Sequence, residues 1–237
     1  MITHSLSVDN YNRIHTSNLR PLNIKIDIEQ FLRDVETINF QVWGDLHLEF
    51  PRYAFPLVNQ DGKIKEDDPA CYPLDRYNFI KKYPQFKMSP LSEEHVQSWR
   101  KYYSDIKIDD VINETFFSVP TKYLNKKSFD VLNPLKPYML RSCILKWDYL
   151  GHFKKHVDTF HPTKWLRLWG TTSPDKMVLR YENNGKMVAE KNIEPGRLYL
   201  HDSIRPHEAL AYDDNVYQFF IALNLNSINT LNTLFRE

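Results

Sequence analysis

The chain has 237 residues, 42% of them apolar, and a formal net charge of +1 from 31 Lys and Arg against 30 Asp and Glu. That length and apolar share suit one domain with a sizeable core, and the near-zero balance argues against the broad basic face of a nucleic-acid coat. With six glycines and neither GxGxxG nor GxxxxGK[ST], a glycine-rich phosphate loop is excluded as well.

The opening MITHSLSVDNYN lacks a basic head followed by an apolar run, so it does not read as a signal peptide. No stretch is long and apolar enough for a membrane span. Cys71 and Cys143 lie far apart and outside any CxxC, as in a reducing compartment. The expectation is a soluble cytoplasmic protein with no nucleic-acid or membrane partner.

In chain order, IDIEQFLRDV carries apolar residues at helical spacing and predicts a short helix. FPRYAFPLVNQDGKIKEDDPACYPLD predicts extended chain and turns, because proline recurs too often for a helix. Its first part could form a lid, with Arg52 reaching a substrate carboxylate. SPLSEEHVQSWRKYY predicts a second helix, with Ser89 as cap, Pro90 in the first turn, and Glu93 and Glu94 near the positive end.

From residue 138 the pattern changes. YMLRSCILKW, WLRLW, KMVLRYE, KMVAE, RLYLH and VYQFFIALNL are short β-type runs. Asn183, Asn184 and Gly185 supply a hairpin turn, and EPGR supplies another. Six short strands with tight connections predict a mainly β protein, a double-sheet barrel or jelly roll with flanking helices. With no repeat and no clear linker, residues 1–237 are expected to form a single domain. Residues 1–137 would supply flanking helices and extended segments, and 138–225 the β core.

HVDTFHP, residues 156–162, raises the question of a metal. Residues two apart on a strand share a face, so His156 and Asp158 can meet one ion. His207, in IRPHEAL, could supply the third ligand. Two histidines and one carboxylate form a facial set that leaves three positions open, as in iron(II) enzymes that bind a co-substrate and O2. Two alternatives stay open on the residues alone. One is that the three are ordinary polar loop residues; the other is a structural zinc on His152, His156 and His161, although no cysteine lies near enough to complete a common one.

The H-x-D follows a β-run and the turn at Gly151, and His207 follows a turn, a β-run and a short loop about fifty residues later. In this order and spacing, residues 138–225 resemble the iron(II)- and 2-oxoglutarate-dependent oxygenases, of the aspartyl/asparaginyl β-hydroxylase and bacterial proline hydroxylase type. The resemblance implies a double-stranded β-helix, cupin-like in build. It implies His156, Asp158 and His207 as iron ligands, and 2-oxoglutarate and O2 as co-substrates. The implied reaction is hydroxylation of an unactivated C–H bond in an amino acid, a peptide side chain or another small molecule.

The chain departs from that family at the co-substrate anchor. An arginine usually stands about ten residues after the second histidine to grip the far carboxylate, whereas here Tyr217 and Gln218 occupy the place. Arg167 in WLRLW is the first substitute, because it shares a strand face with Trp165 and Trp169. Arg180 in KMVLRYE is the second. The departure keeps two other functions in view, a cupin-like hydrolase or isomerase using zinc or manganese, and a binding module without turnover.

Overall fold

The computed structural model describes residues 5–43, 52–59, 62, 117–158 and 164–236. Their strands are, in chain order, β1 (Leu19–Lys25), β2 (Gln41–Trp43), β3 (Arg52–Asn59), β4 (Val119–Pro120), β5 (Ser142–Trp147), β6 (His152–His156), β7 (Trp165–Thr171), β8 (Met177–Asn183), β9 (Lys186–Ala189), β10 (Arg197–His201), β11 (His207–Ala211) and β12 (Val216–Asn224). The larger sheet runs β1-β10-β7-β12-β5-β3-β2, with β4 on β3, and the smaller runs β6-β11-β8-β9. Every pairing between these strands is antiparallel. The two sheets pack face to face in a jelly-roll, the double-stranded β-helix.

The side-chain alternation of β7 explains how the layers assemble. All seven of its residues are buried, so the strand is covered on both faces. Leu166 and Leu168 join the outer core with Ile221, Leu223 and Leu200. Trp169 turns the other way, into a core shared with Leu179, Tyr181 and Ala209 of the smaller sheet. A strand that separates two cores must be apolar on both faces, and WLRLW meets that demand at every position but Arg167.

The helix predicted at IDIEQFLRDV is α2 (Ile28–Val35), following α1 (Val8–Ile14). It begins two residues later than the apolar pattern because Asp27 caps it, its carboxylate accepting from the Gln30 N–H at 3.1 Å. Phe31 then plugs the outer face of the larger sheet, edge-on to Phe219 at 5.1 Å and Phe129 at 6.0 Å between ring centroids. A third helix, α3 (Ile228–Leu234), closes the described chain and packs on β1.

Both predicted turns are present. Asn184 and Gly185 have φ of 50° and 76°, and Asn183 pairs with Lys186 across them. Two left-handed residues give the turn the twist that β8 and β9 require. Gly196 in EPGR has φ of 74°. A side chain there would run into the Ile26 carbonyl oxygen, while the Gly196 carbonyl accepts from Ile26 N–H at 2.9 Å. Gly196→Ala is therefore expected to lower stability by about 1–3 kcal/mol, from left-handed strain and collision together, measured as a lower urea midpoint.

Several expectations are corrected. The first half supplies four strands to the larger sheet, where only helices and extended segments were expected around the core. Arg52–Asn59 is β3, held between β2 and β5, and so is sheet rather than lid. Its one proline, Pro56, is tolerated because the register shifts between Pro56 and Val58. Strands β6 (HFKKH) and β11 (HEALA) were not among the six predicted runs, since each is short and polar on its outward face. The helix predicted at residues 89–103, Cys71 and His161 lie outside the described residues. Among those described, no helix is long and apolar enough to cross a membrane.

Candidate metal centre

Strand pairing brings the three sequence-predicted ligands together. His156 ends β6 and His207 begins β11, and the two are direct partners across the antiparallel pair. Their rings lie 4.4 Å apart, centroid to centroid. Asp158, two residues on, is tied back by its N–H to the Ser203 carbonyl at 2.9 Å. One donor atom from each of the three falls within 4.8 Å of the others. His156 Nε2 is 3.2 Å from Asp158 Oδ1, and His207 Nε2 is 3.9 Å from Asp158 Oδ2.

Proton placement tests whether this set fits a metal. His156 Nδ1 lies 2.7 Å from the Lys154 carbonyl and His207 Nδ1 lies 2.9 Å from the Arg205 carbonyl. A carbonyl can only accept, so each Nδ1 carries its proton. In the neutral imidazole that arrangement leaves each Nε2 with a lone pair turned toward Asp158. Burial, followed by the neighbouring His201, pushes His207 down to about 3, so it is neutral at pH 7. Burial alone would raise Asp158, but its polar surroundings hold its carboxyl well below the usual range. Two lone pairs converging on an ionised carboxylate repel one another unless a cation lies between them. The donor set, with each imidazole oriented by a backbone carbonyl, fits a divalent ion.

A cavity of about 70 Å³ adjoins the cluster. His156, Asp158 and His207 line one part of it, Arg141 and Gln218 another, and Phe153, Trp169 and Phe220 supply apolar wall. Gln218 Oε1 is buried there without a hydrogen-bond partner among the described residues.

The structure sorts the candidate anchor residues by strand parity. Gln218 faces the cavity. Tyr217, next to it on β12, faces the opposite way and packs on Phe31 at 5.3 Å and Phe40 at 5.6 Å. Arg180 lies on the outer face of the smaller sheet, bonded to Glu208 at 3.2 Å and to the Tyr212 hydroxyl at 3.3 Å. His152 meets Glu208 on that same face at 3.3 Å. Tyr217, Arg180 and His152 are therefore remote from the cavity.

Arg167 points inward and is 2% exposed. Its Nε lies 3.8 Å from Asp158 Oδ2, and its guanidinium carbon lies 4.5 Å from the Phe220 ring centroid. On either side its strand partners are Ala222 and His201. Arg141, 7% exposed, lies 5.3 Å from the same Phe220 ring. It lies just before β5, where Leu140 packs on Ala222 and Trp165. One row across the larger sheet reads Ala222, Arg167, His201.

Sequence reading missed Arg141 and His201. Period-two parity was the signal available for both. Arg141, Cys143, Leu145 and Trp147 alternate along one run, and Tyr199 and His201 along another.

Helix α1 braces this end of the larger sheet. Tyr11 donates to Asp202 at 2.9 Å and stacks on His15 at 3.9 Å between centroids. Burial pushes His15 down to about 4, with Asp202 opposing the shift. The folded value lies below the unfolded 6.5, so the unfolded chain binds the extra proton as pH falls. Stability should therefore drop between about pH 6.5 and pH 4, by roughly 3 kcal/mol from this residue. His15→Gln should flatten that part of the urea-midpoint profile.

Neither a protein-family profile nor any curated protein matches the chain. Solved structures with a similar trace include a 2OG-Fe(II) oxygenase family oxidoreductase from Burkholderia pseudomallei, at TM-score 0.41 and 7% identity over 83% of this chain and 78% of that one. A prolyl hydroxylase from Trichoplax adhaerens, solved with a hypoxia inducible factor peptide fragment, gives TM-score 0.42 and 13% identity over 92% of this chain and 89% of that one. A predicted oxalate decarboxylase from Thermotoga maritima gives TM-score 0.27 and 13% identity over 40% and 74%. Likenesses this distant carry no argument about function, which rests on the side chains around the cavity.

Proposed function

We propose that the chain is an iron(II)- and 2-oxoglutarate-dependent oxygenase that hydroxylates an unactivated C–H bond of an amino acid, a peptide side chain or another small molecule. The observation that carries this reading is the convergence of bare His156 Nε2, bare His207 Nε2 and the Asp158 carboxylate beside a cavity that also holds Arg141 and Gln218. Two imidazoles and one carboxylate leave three positions of a six-coordinate ion for other ligands. Bound iron(II) would supply the activation of O2 that couples oxidation of 2-oxoglutarate to succinate and CO2 with hydroxylation of the substrate.

The protein's own part is to hold and aim. The Lys154 and Arg205 carbonyls fix the two imidazoles in the ligating tautomer. Arg167 braces Asp158 from within the sheet. Arg141 would meet the far carboxylate of the co-substrate with its planar fork, and Gln218 would assist with its amide. Phe153, Trp169 and Phe220 keep water from the reacting groups.

The test is succinate release from 2-oxoglutarate by protein purified without oxygen and then given iron(II) and air. Release that depends on iron is expected, slow without a substrate to hydroxylate. Failure to release succinate by fully iron-loaded protein, with zinc or manganese retained through purification instead, would favour a hydrolase or isomerase.

A further inference from the structure

The cavity wall carries two polar groups that the protein itself does not match. Trp169 is 2% exposed and Gln218 is 7% exposed, and both line the cavity beside the metal cluster. Among the described residues, Trp169 Nε1 and Gln218 Oε1 are buried without a hydrogen-bond partner. The strand register makes the two side chains neighbours. Trp169 on β7 pairs with Phe220 on β12, and Gln218 stands two residues from Phe220, on the same face of the sheet.

The chemistry of the pair says what would complete it. An indole N–H can only donate, and a buried one ordinarily finds an acceptor. The side chains packed around Trp169 include Leu145, Leu179, Ala209 and Phe220, none of which accepts. The Gln218 amide presents either its oxygen or its NH2 at the same place after a half-turn. The indole is thus a fixed donor, and the amide turns to suit the group beside it. Arg141, lining the same cavity, adds only donors. A carboxylate, with two accepting oxygens and no proton, satisfies all three. Trp165 Nε1 is also without a partner among the described residues, but Trp165 packs with Leu140 and Ala222 and does not line the cavity.

We propose that Trp169 donates its indole N–H to the far carboxylate of the bound 2-oxo acid, and so selects a dicarboxylate over a 2-oxo acid that ends in a methyl group. This rests on the co-substrate reading above and adds to it a neutral donor held rigidly by the sheet. A ligand without the far carboxylate leaves that buried donor unmatched, which is how a hydrogen-bonding site rejects an analogue.

The experiment is an indole 15N NMR titration of the full chain loaded with zinc(II), which stands in for iron(II) without paramagnetic broadening. Five tryptophans contribute indole signals. One sample receives 2-oxoglutarate and another 2-oxopentanoate, which has the same chain length but no far carboxylate. The assigned Trp169 N–H signal should move to low field with 2-oxoglutarate only, and the Trp165 signal with neither. Trp169→Phe keeps a ring and removes the donor. It should weaken 2-oxoglutarate binding about tenfold and leave 2-oxopentanoate and zinc binding unaltered. A Trp169 signal that responds alike to both acids, or a variant that loses nothing or loses equally for both, would overturn the proposal and leave the co-substrate reading standing. Binding of neither acid by zinc-loaded wild type would overturn both. If Trp169→Phe does not fold, the wild-type signals still decide.

Discussion

Asp158→Ala abolishes metal binding and, with it, every iron-dependent reaction of the protein. Asp158 is the one carboxylate in the cluster, and His156, His201 and His207 all lie within 3.9 Å of its oxygens. Without it the imidazoles remain, but the negative charge that balances a divalent ion is gone. Removing an outer partner of a ligand typically costs about 10- to 100-fold in affinity, and loss of the ligand itself should exceed roughly 100-fold. His152→Ala is the matched control. His152 sits on the outer face against Glu208, so its loss should leave metal affinity unchanged. Metal affinity of the two variants, measured by competition with a chelator, checks both statements.

Arg141→Ala has the second largest expected effect. A buried fork that makes two charge-assisted bonds to a carboxylate contributes roughly 2–4 kcal/mol. The KM for 2-oxoglutarate should therefore rise by about 30-fold or more, with metal affinity unaltered. Arg141→Lys should recover part of the loss, because a point charge keeps the attraction but not the fork. Arg167→Ala should behave differently. Its Nε lies 3.8 Å from Asp158 Oδ2, so metal affinity should fall together with co-substrate affinity. If Arg167→Ala alone raises the KM and Arg141→Ala leaves it unchanged, the anchor is Arg167.

The jelly-roll was legible from residue 138 onward because its strands carry their own signals. WLRLW is apolar on both faces, and Asn184-Gly185 and Pro195-Gly196 mark turns that few other residues could make. Strands β6 and β11 were not legible, although they carry His156 and His207. HFKKH carries two consecutive lysines that break the period-two pattern, and HEALA is only five residues long. The strands of the first half were hidden by proline, which Pro21 on the edge strand β1 and Pro56 at the shifted register of β3 accommodate. Within the site, parity could separate Gln218 from Tyr217. It could not say which face of β12 met the cavity until Phe31 of α2 claimed the other. His201 needed the cross-strand register, because only its pairing with Arg167 sets it beside the cavity.

The most direct measurement of the central claim is an oxygen-free titration of the iron(II)-loaded protein with 2-oxoglutarate, followed by visible absorption. Chelation of the 2-oxo acid by iron held in the cluster should produce a new band that saturates at one equivalent per chain and is absent in Asp158→Ala. Iron(II) bound at one equivalent per chain, with no spectral response to 2-oxoglutarate, would contradict the account.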